Sequence, residues 1–355
     1  MNVVFRTDAS TAIGIGHIMR CITLATELRH SNIHSSFICS EMRGNLCGYL
    51  ESQGFEVNRI AGTDSELGWS ETFINQDACQ TNQILQLKEA VDWLIVDHYE
   101  LDARWERKVQ HYVRNIMVID DLANRIHDCK ILLDQNLYHN LETRYEGLVP
   151  TDCKMLLGPK YALLRQEFRD KRARLRIRDG KVSRILIFFG GSDPTNETEK
   201  ALLAVMNMRL SNIVVDVVVG AANQNTNKVK DMCSGHKNIK LHFQVANMAE
   251  LILQADLAIG AGGTSTWERC FLGLPTITII VAPNQEEVTK AVDAVGAIWS
   301  LGSSHNVSVG DISLAIEKAL QKPSTLIQLS QKSLELMGEN NGFGLREIIR
   351  LLKDG

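Results

Sequence analysis

The chain has few of the features that mark membrane, secreted or nucleic-acid-binding proteins. Its longest apolar runs, residues 185–189 and 213–219, are as long as a strand and far shorter than a membrane span. Met1 is followed by neither a basic region nor a long apolar stretch, so we interpret residues 2–6 as a buried first strand and expect a cytoplasmic protein. A net charge of −4 gives no overall attraction to nucleic acid or anionic lipid.

Sequence signatures of metal sites and of several hydrolases are also missing. The eight cysteines form no CxxC pair, and several fall in apolar strand or helix patterns, which predicts reduced core thiols. There is no HxH, HExxH or GxSxG, and Asp120-Asp121 is interpreted as the start of a loop. We therefore predict no metal ligand set and no cofactor.

Apolar strands alternate with helical patterns along most of the 355 residues, a length that suits two cores. This alternation predicts an α/β fold with two Rossmann-like parallel-sheet domains. The densely charged stretch 165–181 interrupts it, and we interpret its arginines as a solvated linker or, alternatively, as an anion-attracting rim. We predict an N-terminal domain over 1–165, a basic linker over 166–182, a C-terminal domain over 183–339, and a helix over 340–355 that packs back on the N-terminal domain.

A glycine-containing loop, Gly14-Ile-Gly16-His17, joins the first predicted strand to the first helix. Glycines let a ligand approach the backbone, and free amides at a helix start attract anionic oxygen. A histidine there is often only a polar cap or a packing residue. Histidine is nevertheless the side chain best suited to proton transfer near neutral pH, so His17 is a candidate general base.

A second glycine loop, Gly262-Gly263-Thr264-Ser265, follows the predicted strand 257–259. Its amides suit diphosphate oxygens, and Glu268, one turn inside the helix, suits a ribose diol. The pattern therefore predicts a nucleoside diphosphate site, although a plain strand-to-helix turn with a favourable first-turn charge has the same spacing. Gly190-Gly191 after strand 185–189 is a weaker form of the same signal.

Neither loop has the GxGxxG pattern of dinucleotide-binding dehydrogenases. Met19 occupies the position of the third glycine in the first loop, and the second loop ends in Ser265. Other polar residues also follow predicted strands, among them Tyr99 and Asn284. Because ligands of open α/β sheets bind beyond the carboxyl ends of the strands, we expect these clusters to line one cleft.

Eight motifs follow one another in order along nearly the whole chain: Phe5–Asp8, Gly14–His17, Ile95–Tyr99, Ile119–Asp121, Leu133–Asn136, Tyr145–Pro150, Gly158–Phe168 and Gly190–Asp193. Together they resemble one family, the UDP-2,4-diacetamido-2,4,6-trideoxy-β-L-altropyranose hydrolases of pseudaminic acid biosynthesis, which are relatives of the MurG-type glycosyltransferases.

The resemblance implies a GT-B-like fold in which two domains face each other across a cleft, with sugar in the N-terminal domain and UDP mainly on the C-terminal one. It implies metal-independent, inverting hydrolysis at the anomeric carbon. By position, His17 is the implied base and Asn284 a polar group at the reacting sugar. The implied substrate-binding residues are Asp8, Gly14, Gly16, Tyr99, Gly190, Gly191, Gly262, Gly263, Thr264, Ser265 and Glu268.

We therefore expect an enzyme that releases UDP and free 2,4-diacetamido-2,4,6-trideoxy-L-altrose, with a small-molecule UDP-sugar as its partner rather than nucleic acid or membrane. One alternative is a glycosyltransferase with the same fold and donor, in which an acceptor hydroxyl replaces water. Fold alone does not separate these two. The other alternative is a sugar-nucleotide-binding protein without catalysis.

Overall fold

The computed structural model describes residues 1–10, 13–62, 70–338 and 343–355. The chain divides into two compact units. The first consists of Met1–Asn136, Asn140–Leu163 and Phe343–Gly355, and the second of Leu137–His139 and Leu164–Gly342. Each unit is built on one parallel sheet, so the predicted fold class of two Rossmann-like parallel-sheet domains is confirmed.

The first unit contains a seven-stranded sheet in which every pairing is parallel. Its strands are β1 (Asn2–Thr7), β2 (His34–Glu41), β3 (Glu56–Ala61), β4 (Trp93–Asp97), β5 (Asn115–Ile119), β6 (Ile131–Asp134) and β7 (Lys154–Leu157). Their order is β3-β2-β1-β4-β5-β6-β7, so the winding direction reverses between β1 and β4. Ligands of open parallel sheets bind at such a switch point, beyond the carboxyl ends of the strands.

The second unit repeats this plan with six parallel strands. They are β8 (Arg184–Phe188), β9 (Val214–Val219), β10 (Ile239–Phe243), β11 (Leu257–Ala261), β12 (Thr276–Ile280) and β13 (Trp299–Ser303). The order is β10-β9-β8-β11-β12-β13, which places the switch point between β8 and β11. The two glycine loops found in the sequence therefore each follow a strand at a switch point.

Both faces of the first sheet are buried, because side chains alternate along each strand. In β1, Val3 and Phe5 lie in one apolar cluster, whereas Val4 lies in another. In β4, Trp93 joins the first cluster and Leu94 the second. Burial on both faces explains why these strands are continuous apolar runs in the sequence.

Helices cover the sheets, and several begin at a capping side chain. The helices are α1 (Gly16–His30), α2 (Cys47–Ser52), α3 (Glu71–Gln86), α4 (Ala103–Val109), α5 (Gln166–Arg172), α6 (Glu197–Asn207), α7 (Thr226–Cys233), α8 (Met248–Gln254), α9 (Ser265–Phe271), α10 (Glu286–Ala294), α11 (Val309–Gln321), α12 (Pro323–Met337) and α13 (Phe343–Asp354). The start of α11, for example, is a capping box between Ser308 and Asp311. Within the ranges that the structure describes, no helix is long and apolar enough to cross a membrane.

The final helix, α13, packs in the first unit. Its apolar side chains, including Ile348 and Leu352, lie in the core cluster of that unit, and Trp93 Nε1 donates a hydrogen bond of 2.9 Å to the Leu352 carbonyl. Gly344 permits this packing, since an added Cβ would lie 2.1 Å from the carbonyl oxygen of Lys160. Residues 340–342 of the predicted C-terminal segment lie outside the described residues.

Residues 166–182, which we expected to form a basic linker, fold as part of the second unit. Their arginines bond to helix ends, where the last carbonyls lack intrahelical donors. Arg178, 7% exposed, donates to the carbonyls of Ile252, Ala255, Leu272 and Gly273, which lie at and just beyond the ends of α8 and α9. Arg176 donates to the carbonyls of Leu253, Gln254 and Ala255. Arg178 is therefore a buried structural residue, whereas Arg176 bonds the same helix end with 41% of its side chain exposed.

Candidate functional site

The switch point of the first unit carries the predicted histidine. β1 leads through the loop containing Gly14 and Gly16 into α1, and His17 is the second residue of that helix. Gly14 has φ +82°, which favours glycine. An added Cβ at Gly14 or Gly16 would meet no atom of the described residues within 4 Å.

His17 is paired with Asp97, the last residue of β4. The distance from His17 Nδ1 to Asp97 Oδ1 is 2.5 Å, and 7% of the His17 side chain is exposed. An ionised carboxylate only accepts hydrogen bonds, so Nδ1 carries a hydrogen, and in the neutral imidazole the lone pair then lies on Nε2. This is the tautomer that a general base with an orienting carboxylate requires.

Arg20, one turn after His17, is the counter-charge of this pair. Its Nε and Nη2 atoms each lie 2.6 Å from an Asp97 oxygen, and Nη1 lies 2.9 Å from Asp121 Oδ2. Burial alone would raise the pKa of Asp97, but Arg20 and then His17 hold that pKa well below its usual value. Asp97 therefore stays ionised and keeps its acceptor directed at the imidazole.

Tyr99 lies at the same place. Its ring meets the His17 ring edge-on, with centroids 4.4 Å apart and an interplanar angle of 85°. The predicted base and the predicted sugar-pocket tyrosine are thus brought together by the loops after β1 and β4.

Asp8 lies in a separate buried cluster. One of its oxygens accepts from Arg6 at 2.7 Å and from the Ser40 amide at 2.6 Å. The other accepts from the Ser40 hydroxyl at 3.0 Å and lies 3.1 Å from His98 Nε2. Because His98 Nδ1 accepts from the Glu100 amide, Nε2 donates to Asp8. Asp8 therefore fixes the ring of His98, the residue that lies between Asp97 and Tyr99 in the sequence.

The sequence analysis included Asp97 in the motif Ile95–Tyr99 but did not pair it with His17, and it missed Arg20. Two signals were available in the sequence. Arg20 stands three residues after His17 on a helix, so it shares the helix face. Asp97 ends a strand that follows the first switch in winding direction. In a doubly wound sheet that strand lies beside the first strand of the chain.

A buried acid, Asp134, ends β6 in the same unit. Tyr145 Oη lies 2.9 Å from Asp134 Oδ2 and 3.0 Å from Asp120 Oδ2. Burial, and then the charge of Asp121, raise the pKa of Asp134 to about 7. The folded protein therefore binds a proton at Asp134 more tightly than the unfolded chain, in which the pKa is about 3.9.

We expect Asp134→Asn to flatten the pH dependence of stability. Because the folded pKa is raised, Asp134 makes stability fall as pH rises from about 4 to its folded pKa, by at most about 1.4 kcal/mol per pH unit. Asparagine resembles the protonated carboxyl in shape, so the fall should disappear. Chemical denaturation of both proteins between pH 4 and pH 8 measures the slope, with the exposed Asp152→Asn as control. Equal slopes in wild type and Asp134→Asn would contradict this account.

The switch point of the second unit carries the predicted diphosphate loop. Gly262 and Gly263 follow β11, and Thr264 directly precedes α9, which begins at Ser265. No side-chain hydrogen bond caps this helix. The amides of Thr266 and Trp267 donate to the carbonyls of Gly263 and Thr264, so an anion here would bind the preceding amides, those of residues 263–265.

Gly190 and Gly191 follow β8 at the same switch point. Gly190 has φ +92°. Gly191 packs against Gly220, and a Cβ added at Gly220 would lie 2.4 Å from the Cα of Gly191. The next helix, α6, is already capped, since both Asp193 oxygens accept from its first amides at 2.9 Å. Of these two loops, the one after β11 is thus the better anion site.

The remaining predicted residues also lie in loops or first turns of the second unit. Glu268 is in α9, and its Oε1 accepts from Arg165 at 3.1 Å. Asn284 is exposed in a short 3₁₀ helix, Pro283–Gln285, that follows β12. The structure describes no cluster of three or more histidine, cysteine or acidic side chains placed to hold a metal ion, in the residues for which it gives positions.

We expect Gly262→Ala to weaken UDP binding. The new Cβ would lie 2.1 Å from Thr289 Oγ1, and Thr289 is 1% exposed in α10, so the loop must shift. Overpacking of this kind costs about 1–3 kcal/mol. Borne by the loop conformation that binds the nucleotide, this cost corresponds to a loss of about 5- to 150-fold in affinity. Titration calorimetry with UDP measures the loss.

Two matched variants test the steric cause. Thr289→Ala removes the clashing oxygen and should restore UDP binding to Gly262→Ala. Gly263→Ala should leave stability unchanged, because its Cβ would meet only Gln285 Nε2 at 3.5 Å. Wild-type affinity in the Gly262→Ala single variant would show that this close approach is unnecessary.

The fold and the two switch-point sites define the class of protein: a two-domain chain of the GT-B architecture. The structure aligns over 100% of this chain and 99% of MurG from Acinetobacter baumannii, with a TM-score of 0.68 and 12% identity. At that identity the likeness shows the fold alone. The predicted GT-B-like fold is confirmed.

More specific similarities lie in the sequence. Residues 185–343 match the glycosyltransferase family 28 C-terminal domain. The chain is 28% identical over 288 residues to the UDP-2,4-diacetamido-2,4,6-trideoxy-beta-L-altropyranose hydrolase of Campylobacter jejuni, covering 81% of this chain and 94% of that protein. It is 25% identical over 295 residues to an uncharacterized protein of Methanocaldococcus jannaschii, covering 81% of this chain but 57% of that relative. The resemblance predicted from the ordered motifs is confirmed as a similarity, and the chain spans little more than half of the archaeal relative's length.

Proposed function

We propose that this protein hydrolyses UDP-2,4-diacetamido-2,4,6-trideoxy-β-L-altropyranose to UDP and the free sugar, as a step in pseudaminic acid biosynthesis. The observation that carries the proposal is the contact between His17 Nδ1 and Asp97, which leaves Nε2 as the basic nitrogen at a switch point. The similarity to a relative named as this hydrolase supports the choice of substrate.

In the proposed reaction, His17 Nε2 takes a proton from water as the water oxygen bonds to the anomeric carbon. The bond from that carbon to the β-phosphate oxygen breaks, and UDP leaves with the electron pair. Asp97, kept ionised by Arg20, stabilises the imidazolium. Attack opposite the leaving group inverts the anomeric configuration.

The second unit supplies the binding of UDP in this proposal. The amides of Gly263, Thr264 and Ser265 at the start of α9 donate to the diphosphate oxygens without a metal ion, and Glu268 accepts hydrogen bonds from the ribose hydroxyls. Tyr99 contacts the sugar, Asp8 acts through His98, and Asn284 offers its amide to the reacting sugar. Gly14, Gly16, Gly190 and Gly191 let the substrate approach the backbone.

The proposal is tested by measuring UDP release from a panel of UDP-2,4-diacetamido sugars with no acceptor present. We expect release that chelators do not slow, and a first-formed anomer of inverted configuration by proton NMR. In heavy-oxygen water the label should enter the sugar. Label in UDP would instead mean attack at phosphorus and would contradict the mechanism.

A glycosyltransferase is the second candidate, and the match of residues 185–343 to a glycosyltransferase domain favours it. A transferase should release UDP much faster once its acceptor is supplied. Tight binding of every donor without release would instead indicate a non-catalytic binding protein.

We place the proposed reaction in the cytoplasm. Six of the eight cysteines are buried free thiols, a state that reducing compartments maintain: Cys21, Cys39, Cys47, Cys129, Cys233 and Cys270. Activity in the soluble fraction of cells that make the protein, with none in the membrane fraction, would support this placement.

A further inference from the structure

Arg165, in the second unit, contacts the carboxylate that the proposed function gives to the ribose. Its Nη2 donates to Glu268 Oε1 at 3.1 Å, and its Nη1 lies 2.7 Å from Glu167 Oε1. The guanidinium also lies over the Phe168 ring, 5.0 Å from the centroid. Whereas Arg176 and Arg178 donate to several helix-end carbonyls, Arg165 contacts the two carboxylates of Glu268 and Glu167.

Both carboxylate partners of Arg165 are held in place by neighbouring helices. Glu167 Oε2 accepts from the Ala249 amide at 3.2 Å, in the first turn of α8, and Phe168 is fully buried. Glu268 lies in the first turn of α9, directly after the glycine loop. The Arg165 guanidinium therefore connects α8 to the loop after β11 through two carboxylates.

The local charges explain why Glu268 needs this partner. Burial raises the pKa of Glu268, Arg165 opposes that rise most strongly, and Glu167 adds to it. Arg269 also opposes it, but its Nη atoms donate to Ala261, Ser265 and Thr266 within the loop and helix. Arg165 is thus the cation in direct contact with the Glu268 carboxyl.

We infer that Arg165 is a positioning residue for nucleotide recognition, which holds the Glu268 carboxylate oriented so that its remaining lone pairs accept the ribose hydroxyls of UDP. A carboxylate offers about four lone-pair sites, so one bond to Arg165 leaves capacity for a diol. The inference rests on the proposed function, which supplies UDP as the ligand.

The test compares UDP with 2′-deoxy-UDP by titration calorimetry on the full chain. A hydrogen bond to a charged group contributes about 1.5–3 kcal/mol, so wild type should prefer UDP by about 10- to 100-fold. Arg165→Gln should lose most of this preference, because the Glu268 carboxylate then loses the hydrogen bond that orients it. Arg165→Lys keeps a cationic donor and should retain part of it.

A merely structural role for Arg165 would weaken both nucleotides equally and leave their ratio unchanged. The exposed Arg174→Gln, on the same basic segment, is the matched control and should keep the wild-type ratio. If Arg165→Gln discriminates as wild type does, this inference alone is wrong. If wild type binds both nucleotides equally, the ribose role of Glu268 fails with it, and if wild type binds neither, the proposed function fails as well.

Discussion

His17→Asn is expected to slow UDP release by about 10²- to 10⁴-fold, the usual contribution of a general base. The side-chain amide of asparagine places an N–H near the position of His17 Nδ1. Asp97 therefore keeps a hydrogen-bond donor, and the buried hydrogen bond is retained. No titratable nitrogen remains to accept the proton of water. Turnover and UDP affinity, measured separately, should show that the loss lies in kcat.

His30→Asn is the matched control for this substitution. His30 is the last residue of the same helix, and 62% of its side chain is exposed. The His30→Asn variant should release UDP at the wild-type rate. Undiminished turnover in His17→Asn would remove His17 from the mechanism, and an equal loss in His30→Asn would attribute the effect to the helix.

The position of His17 was predictable because it depends on local pattern. A short apolar strand, two glycines and an apolar-periodic helix specify a strand-to-helix junction, and parallel sheets place such junctions at the ligand edge. The same logic located Gly262 and Glu268. The presence of a parallel sheet in each unit followed from the alternation of strands and helices.

The partners of these residues were less predictable, because they depend on strand order. Asp97 is 80 residues from His17 in sequence, and the two meet only because β4 lies beside β1. The alternation of strands and helices along the chain does not determine the order of the strands in the sheet. The pairing of Arg165 with Glu268, 103 residues apart, has the same origin.

The basic segment, residues 166–182, shows a second limit on what can be predicted from the sequence. Its charge density predicted exposure, since arginine is rarely buried without a partner. The sequence does not show that α8 and α9 end close enough for one guanidinium to meet carbonyls from both. Arg178 has five N–H donors in a planar fork, so it satisfies several helix-end carbonyls at once.

Arg178→Ala is accordingly expected to lower the free energy of unfolding of the second unit by about 3–5 kcal/mol. The substitution removes donors from four carbonyls: those of Ile252, Ala255, Leu272 and Gly273. Burial lowers the pKa of Arg178 to about 10, which leaves it charged at pH 7 and its hydrogen bonds charge-assisted. Hydrogen exchange read by mass spectrometry on peptides of α8 and α9 should show the loss.

Two further variants separate lost hydrogen bonds from lost charge. Arg178→Lys keeps the charge but has a single donor group, so it should recover only part of the stability. Arg174→Ala, an exposed change four residues earlier, should stay within about 0.5 kcal/mol of wild type. If Arg178→Lys matched wild type, the charge alone would account for the effect. If Arg178→Ala exchanged at the wild-type rate, the two helix ends would not depend on this side chain, and a solvated basic segment would again be the better description of residues 166–182.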